Sequence, residues 1–101
     1  MCPQSDRLCG QTLIINVDAL GKLPLKIIVP ITDWREHYDN YSWMIKIVPT
    51  NQNGLVKISA VDCFQIRSVS VERLIARIGS VESEIVSQVQ EAVIKVIGGV
   101  L

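Results

Sequence analysis

Lys26-Ile27-Ile28-Val29-Pro30-Ile31-Thr32-Asp33 is the stretch on which the fold turns. Its apolar run lacks a polar residue at every second position. This predicts a strand over 26–32 that is covered on both faces rather than half exposed. Pro30 has no N–H to give to a ladder, so it marks an edge, a bulge or the strand's end. Thr32 then brings a hydroxyl to the rim of the sheet. It is the first candidate for a functional group, beside the plainer reading of a strand-end threonine bonded to backbone.

Upstream, Thr12-Leu13-Ile14-Ile15 is aliphatic, largely β-branched and too short for a helix, which predicts a strand within 11–17. Residues 18–21 read as one helical turn or a tight connection, stopped by Gly21 and Pro24. Residues 1–10 mix Pro, Gly and polar side chains without periodicity and read as irregular.

Downstream, 33–41 is a polar loop carrying Trp34, Tyr38 and Tyr41. In 42–48 Trp43, Ile45 and Ile47 fall on one face of a third strand, with Met44, Lys46 and Val48 on the other. The run 49–54 ends in Asn53-Gly54, a hairpin turn signal. The strand after it, 55–67, is long enough to need a bend or bulge near Asp62. Residues 68–73 connect it to a last short strand at 74–78, ended by Gly79. Ser80, Glu82 and Ser83 compete for the N-cap of a helix running to about 97, serine being the better chemical cap. Ile85, Val89, Ala92, Val93, Val96 and Ile97 form its apolar stripe, and Gly98-Gly99 ends it. Short strands and one terminal helix give a mainly β fold, a small antiparallel sheet or partly closed barrel with a helix against it.

Composition narrows the function. The 101 residues suit one domain with one core, and 10 basic against 10 acidic side chains leave no net charge. Any nucleic-acid site is therefore local. The apolar content is high for so small a core, which predicts that another copy or a tight partner covers part of the surface. Three cysteines without a Cys-x-x-Cys pair, and one histidine, argue against a disulfide framework and a zinc site. They fit reduced thiols in a cytoplasmic protein, with Cys63 in a strand core. The polar start has no apolar segment of signal-peptide type, and no apolar run approaches the length of a membrane span.

Three blocks occur in a telling order: Val29-Pro30-Ile31-Thr32 after an aliphatic strand, Phe64-Gln65-Ile66-Arg67-Ser68 after a turn, and Arg77-Ile78-Gly79 before the closing helix. Together, over roughly residues 12–97, they resemble the MazF/PemK family of toxin endoribonucleases. The resemblance implies an SH3-like barrel with a C-terminal amphipathic helix. It implies a homodimer that cuts single-stranded RNA without metal or other cofactor and is blocked by a cognate antitoxin.

Carried over by position, Thr32 is the catalytic residue the resemblance implies, and Gln65 and Arg67 match its second block. With Asp33, with Trp34 as a stacking aromatic and with Ser59 as a strand serine that either approaches RNA or does nothing specific, they are the RNA-binding candidates. The family's active-site arginine, which precedes a proline, falls here at about Gln11, with Thr12 in place of the proline. Glutamine donates a hydrogen bond but carries no charge, so impaired activity is expected, or a non-catalytic barrel that still binds antitoxin or RNA. Arg7, Arg35 and Arg67 are the candidates to supply the cation. The family's further N-terminal strand has no evident counterpart, which suggests a truncated or degenerate member and leaves the 12–17 strand with an open edge. Trp34 and Tyr38 either stack on bases or pack over the barrel end. His37 is either a general base or simply solvated.

Overall fold

A computed structural model gives the structure of residues 7–9, 11–15, 23–74 and 77–99; the turn expected at 18–21 lies outside them. The strands are β1 (Arg7–Cys9), β2 (Thr12–Ile14), β3 (Leu25–Asp33), β4 (Met44–Ile47), β5 (Ser59–Asp62), β6 (Arg67–Ser70) and β7 (Arg77–Ser80). One helix follows, α1 (Ser83–Val96). The strands form a seven-stranded antiparallel sheet in the order β4-β5-β3-β2-β1-β7, with β6 also on β3. The class is the expected one, mainly β with a C-terminal helix. Among the described residues the sheet does not close into a barrel.

β3 is the axis of the sheet. β2 runs along one of its edges, pairing Thr12, Leu13 and Ile14 with Pro30, Val29 and Ile28. On the other edge β5 pairs with Ile31–Asp33 and β6 with Leu25–Ile28. β5 and β6 are two halves of one strand, broken by a 3-10 turn at Cys63–Gln65. This is the bend expected near Asp62, and Asp62 itself caps it by accepting from the Phe64 N–H at 3.1 Å. The break also explains Pro30. Ile31 donates its N–H to Gln11 O on the β2 edge. The N–H groups of a strand alternate edges, so the proline nitrogen faces the gap between β5 and β6, where no ladder bond is lost.

Both faces of β3 are covered, as its sequence predicts. Leu8, Leu13, Val29, Ile31, Ile47, Val61 and Cys63 join Val89, Ala92 and Val93 of α1 in the main core, while Ile14, Ile28 and Leu74 form a smaller cluster. The predicted stripe of α1 is buried at Val89, Ala92 and Val93, but Ile97 at its end is 70% exposed. Gly98, at φ 83°, follows the helix in the left-handed conformation.

Four expectations are corrected. Residues 7–9, within the stretch read as irregular, form β1, which pairs with both β2 and β7. β2 is therefore flanked on both sides and has no open edge. Residues 67–70, read mostly as a connection, form β6 because the first half of β3 offers them an edge. The strand after the turn begins at Ser59 rather than at residue 55, and the last strand is shifted to Arg77–Ser80. Of the three residues that compete for the N-cap of α1, Glu82 holds the position, without a side-chain cap bond. Ser80 Oγ instead accepts from Gln52 Nε2 at 3.3 Å.

Candidate functional site

β3 ends where the connection between β4 and β5 passes back over it, and a cleft of about 500 Å³ opens there. It is lined by Thr32 and Asp33 of β3, Gln11 ahead of β2, Lys57 and Ser59 beside β5, and an apolar wall. Neighbouring residues of a strand alternate faces, yet Thr32 and Asp33 both reach the cleft because it opens at the strand's end. Gln11 is brought there by the β2–β3 ladder, its carbonyl accepting from the Ile31 N–H at 2.6 Å.

The opposite wall, 54–58, is held by the turn before it. Asn53 is buried, and its Oδ1 accepts from Thr50 N at 3.0 Å and from Leu55 N at 2.9 Å. Its Nδ2 donates to Val48 O at 2.9 Å. Gly54 follows at φ 68°, the left-handed residue expected of Asn53-Gly54, although the connection is far longer than a two-residue hairpin. Further along, the Trp34 N–H donates to Ile58 O at 3.1 Å and Ser59 Oγ to Lys57 O at 3.0 Å. Val56, Ile58 and Ile78 are exposed on this side of the molecule, Val56 at 92%.

Electrostatically the cleft is nearly balanced. Lys57 is the cation among its described lining residues, and its Nζ lies 3.0 Å from Asp33 Oδ1 and 3.0 Å from Oδ2. Sequence reasoning missed Lys57, because nothing in 55–58 marks that segment as a wall rather than a strand.

The other expected site residues are distributed unevenly. Thr32, Asp33 and Ser59 meet in the cleft, joined by Gln11. Trp34 stands just beyond it, packed edge-on against Tyr38 with ring centroids 5.7 Å apart and with Lys46 Nζ 5.2 Å from its ring centre. The rings continue through Tyr41 and Trp43, stacked at 4.8 Å, to Phe64. His37 lies among them, 4.7 Å from Tyr38. The aromatic loop thus packs largely on itself.

Gln65 and Arg67 are not in the cleft. Gln65 Nε2 donates to Asp62 Oδ2 at 2.7 Å within the 3-10 turn. Arg67 pairs with Ile28, four residues back along β3 and so about 13 Å from Thr32. Of the arginines proposed to supply a cation, Arg35 and Arg67 do not line the cleft, and the side chain of Arg7 lies outside what the structure describes.

Cys63 is fully buried and its thiol is pushed up to about 12, first by burial and then by the negative charge of Asp62. It is a neutral core group, as expected. In native protein at pH 8 Cys63 should resist iodoacetamide and label only in denaturant, as peptide mapping by mass spectrometry would reveal; labelling at the rate of an open thiol would contradict its place in the core. Among the described residues no cluster of three His, Cys, Asp or Glu side chains could hold a metal ion, and no helix is long and apolar enough to cross a membrane.

The fold and the sequence both have relatives. The structure superimposes on an endoribonuclease from a mycobacterial species with a TM-score of 0.80 at 16% identity, covering 100% of this chain and 96% of that one. Against the Mycobacterium tuberculosis toxin MazF-mt6 the TM-score is 0.74 at 21% identity, over 89% of this chain and 87% of the other. A mycobacterial endoribonuclease in complex with its cognate antitoxin gives 0.75 at 16% identity, over 95% of each chain. At these identities the likeness is one of fold. No curated protein sequence matches closely enough to count as a relative. The decisive match is at family level: residues 7–97 fit the sequence profile of the PemK-like, MazF-like toxins of type II toxin-antitoxin systems, from β1 through the end of α1. With the Pro-Ile-Thr block placed at the mouth of the cleft and the closing helix packed on the sheet, the chain belongs to the PemK-like, MazF-like toxin family.

Proposed function

We propose that this toxin cleaves single-stranded RNA without a metal ion, and does so slowly. Metal-free cleavage uses the ribose 2′-hydroxyl as nucleophile. That hydroxyl gives up its proton to a base as its oxygen bonds to the adjacent phosphorus. The bond from phosphorus to the 5′-oxygen breaks and the leaving oxygen takes up a proton, so that a 2′,3′-cyclic phosphate and a 5′-hydroxyl result; the charge on the phosphate oxygens has to be stabilised meanwhile. Thr32 is the residue we assign to the phosphate, its hydroxyl donating a hydrogen bond. Gln11 beside it donates a second, neutral one.

The observation that carries both halves of the reading is the make-up of the cleft. It gathers Thr32 and Gln11 at the end of β3, with the hydroxyl of Ser59 already given to Lys57 O, while Lys57, the cation among the described lining residues, is paired with Asp33. Among the described lining residues donors are present and uncompensated positive charge is not. Loss of one oxyanion donor typically slows such chemistry by roughly 100- to 1,000-fold, and a missing cation acts in the same direction.

The partners follow the same reading. The complex of the mycobacterial endoribonuclease with its cognate antitoxin supports an antitoxin partner for this chain, and we place the pair in the cytoplasm, where RNA is the substrate. Exposed Leu23, Leu25 and Ile97 supply apolar surface for a second copy in a homodimer.

The test is cleavage of a fluorogenic single-stranded oligoribonucleotide in EDTA. Slow cutting is expected, and Thr32→Ala should lower it about tenfold or more. Because Thr32 is exposed, the same substitution should leave stability within about 0.5 kcal/mol. Cleavage as fast in Thr32→Ala as in the wild type would remove Thr32 from the chemistry. Complete absence of cutting, with RNA or antitoxin still bound, would favour the non-catalytic barrel.

A further inference from the structure

We infer that Lys57 is the phosphate-binding cation of the cleft and that Asp33 is its competitor, forming with it a clasp that an RNA phosphate has to open. The inference rests on RNA being the substrate class proposed above. Neither residue is part of the Thr32–Gln11 pair, and the clasp concerns binding rather than bond cleavage.

The backbone around Lys57 is fixed while its side chain is not. Asn53 Oδ1 holds Leu55 N at 2.9 Å on one side, and on the other Ile58 O accepts from Trp34 N while Lys57 O accepts from Ser59 Oγ. From this stem the ammonium reaches across to β3 and sits 3.0 Å from both oxygens of Asp33. Asp33 is equally fixed at its backbone, paired with Ser59 in the β3–β5 ladder. Both side chains are more than half exposed, at 63% and 59%, so water screens the pair and little holds it closed.

A phosphodiester presents two non-bridging oxygens, much as the Asp33 carboxylate does. It can take that carboxylate's place on Nζ without any movement of the main chain. The carboxylate has a second effect, since it cancels the charge of Lys57, the cation among the described lining residues, and weakens the cleft's attraction for a polyanion at a distance. A carboxylate on a fixed strand facing a flexible lysine at the mouth of a cleft that also holds Thr32 is therefore a brake on RNA binding.

The test measures binding of a 2′-O-methyl oligoribonucleotide, which keeps the phosphates but has no nucleophile, as a function of salt. Lys57→Gln should weaken binding severalfold and lower the slope of log K against log salt by about 0.7, the value of one phosphate contact on a single strand. Asp33→Asn should tighten binding severalfold, and Lys95→Gln on the helix should leave the slope unchanged. The double variant decides the mechanism. If Asp33 acts through Lys57, Asp33→Asn gives no gain in the Lys57→Gln background. An unchanged slope in Lys57→Gln, or an equal gain from Asp33→Asn in both backgrounds, overturns the clasp. The failures are separable: binding that depends on Lys57 in a protein that does not cut supports the clasp and sinks the cleavage reading, whereas a cutting enzyme indifferent to Lys57 sinks the clasp alone.

Discussion

Gln11→Arg is expected to raise metal-independent cleavage of single-stranded RNA by about 100-fold, the scale of one well-placed oxyanion contact. The position is built for such a gain. Its backbone is fixed by the bond from Ile31 N to its carbonyl, while its side chain is exposed and lines the cleft that holds Thr32. Asp33, the carboxylate among the described lining residues, is paired with Lys57 in the resting cleft, so the same gain should be larger in an Asp33→Asn background, where no carboxylate competes for the guanidinium. The guanidinium's planar fork also suits a phosphate better than a point charge does, so Gln11→Lys should recover less activity than Gln11→Arg. The measurement is the initial rate in EDTA at saturating RNA, with Thr32→Ala combined as a control. A rate no higher than wild type, in a protein whose folding and RNA affinity are intact, would mean that charge at this position is not what limits the reaction.

Gly79→Ala is expected to destabilise the fold by about 2 to 3 kcal/mol, a fall in melting temperature of roughly 10–20 °C for a domain of this size. The reason is close approach rather than backbone strain. A Cβ at Gly79 would lie 2.4 Å from the Asn53 carbonyl carbon and oxygen and 2.5 Å from Gln52 O, all backbone atoms that cannot swing aside. The contact is mutual, because a Cβ at Gly54 would lie 2.3 Å from Ile78 O. The 52–54 turn therefore lies directly on β7, joined by the bond from Ser80 N to Gln52 O at 2.9 Å. Urea denaturation gives the comparison. Gly98→Ala, where nothing lies within 4 Å and only the positive φ resists a side chain, should cost no more than about 1 kcal/mol. Equal costs at the two positions would argue against the close packing of turn and strand. The same contact sets the far wall of the cleft, so Gly79→Ala should also loosen RNA binding through Lys57.

The cleft's dependence on this turn explains which of its residues could be read in advance. Thr32 was legible because a long apolar strand ends at it, and Gln11 because the family pattern places its active-site cation there. Asp33 followed as the neighbour of the Val29–Thr32 block, and Ser59 as a serine of the strand expected after the turn. Lys57 was not legible, since Leu55-Val56-Lys57-Ile58 has the composition of a strand and becomes a wall only because Gly54 and Gly79 let the turn settle on β7. Gln65 and Arg67 belong to the matching block in sequence, but the 3-10 break and the register of β6 carry them away from the cleft's end of β3.

The sequence by itself determined the elements whose signal is local. These are the doubly covered β3, the amphipathic α1 closed by Gly98, the left-handed Gly54 and the bend at Asp62. In each case neighbouring residues set the conformation through apolar periodicity, glycine's access to positive φ or a side-chain cap. The tertiary structure decided β1, β6 and the position of β7. These strands are three or four residues long, too short to show a period, and apart from the pairing of β1 with the adjacent β2 their hydrogen bonds come from partners far away in the chain. Arg7–Cys9 is a strand because β2 and β7 present edges to it, and Lys57 faces Asp33 because the 52–54 turn just before it packs on Gly79, more than twenty residues further along.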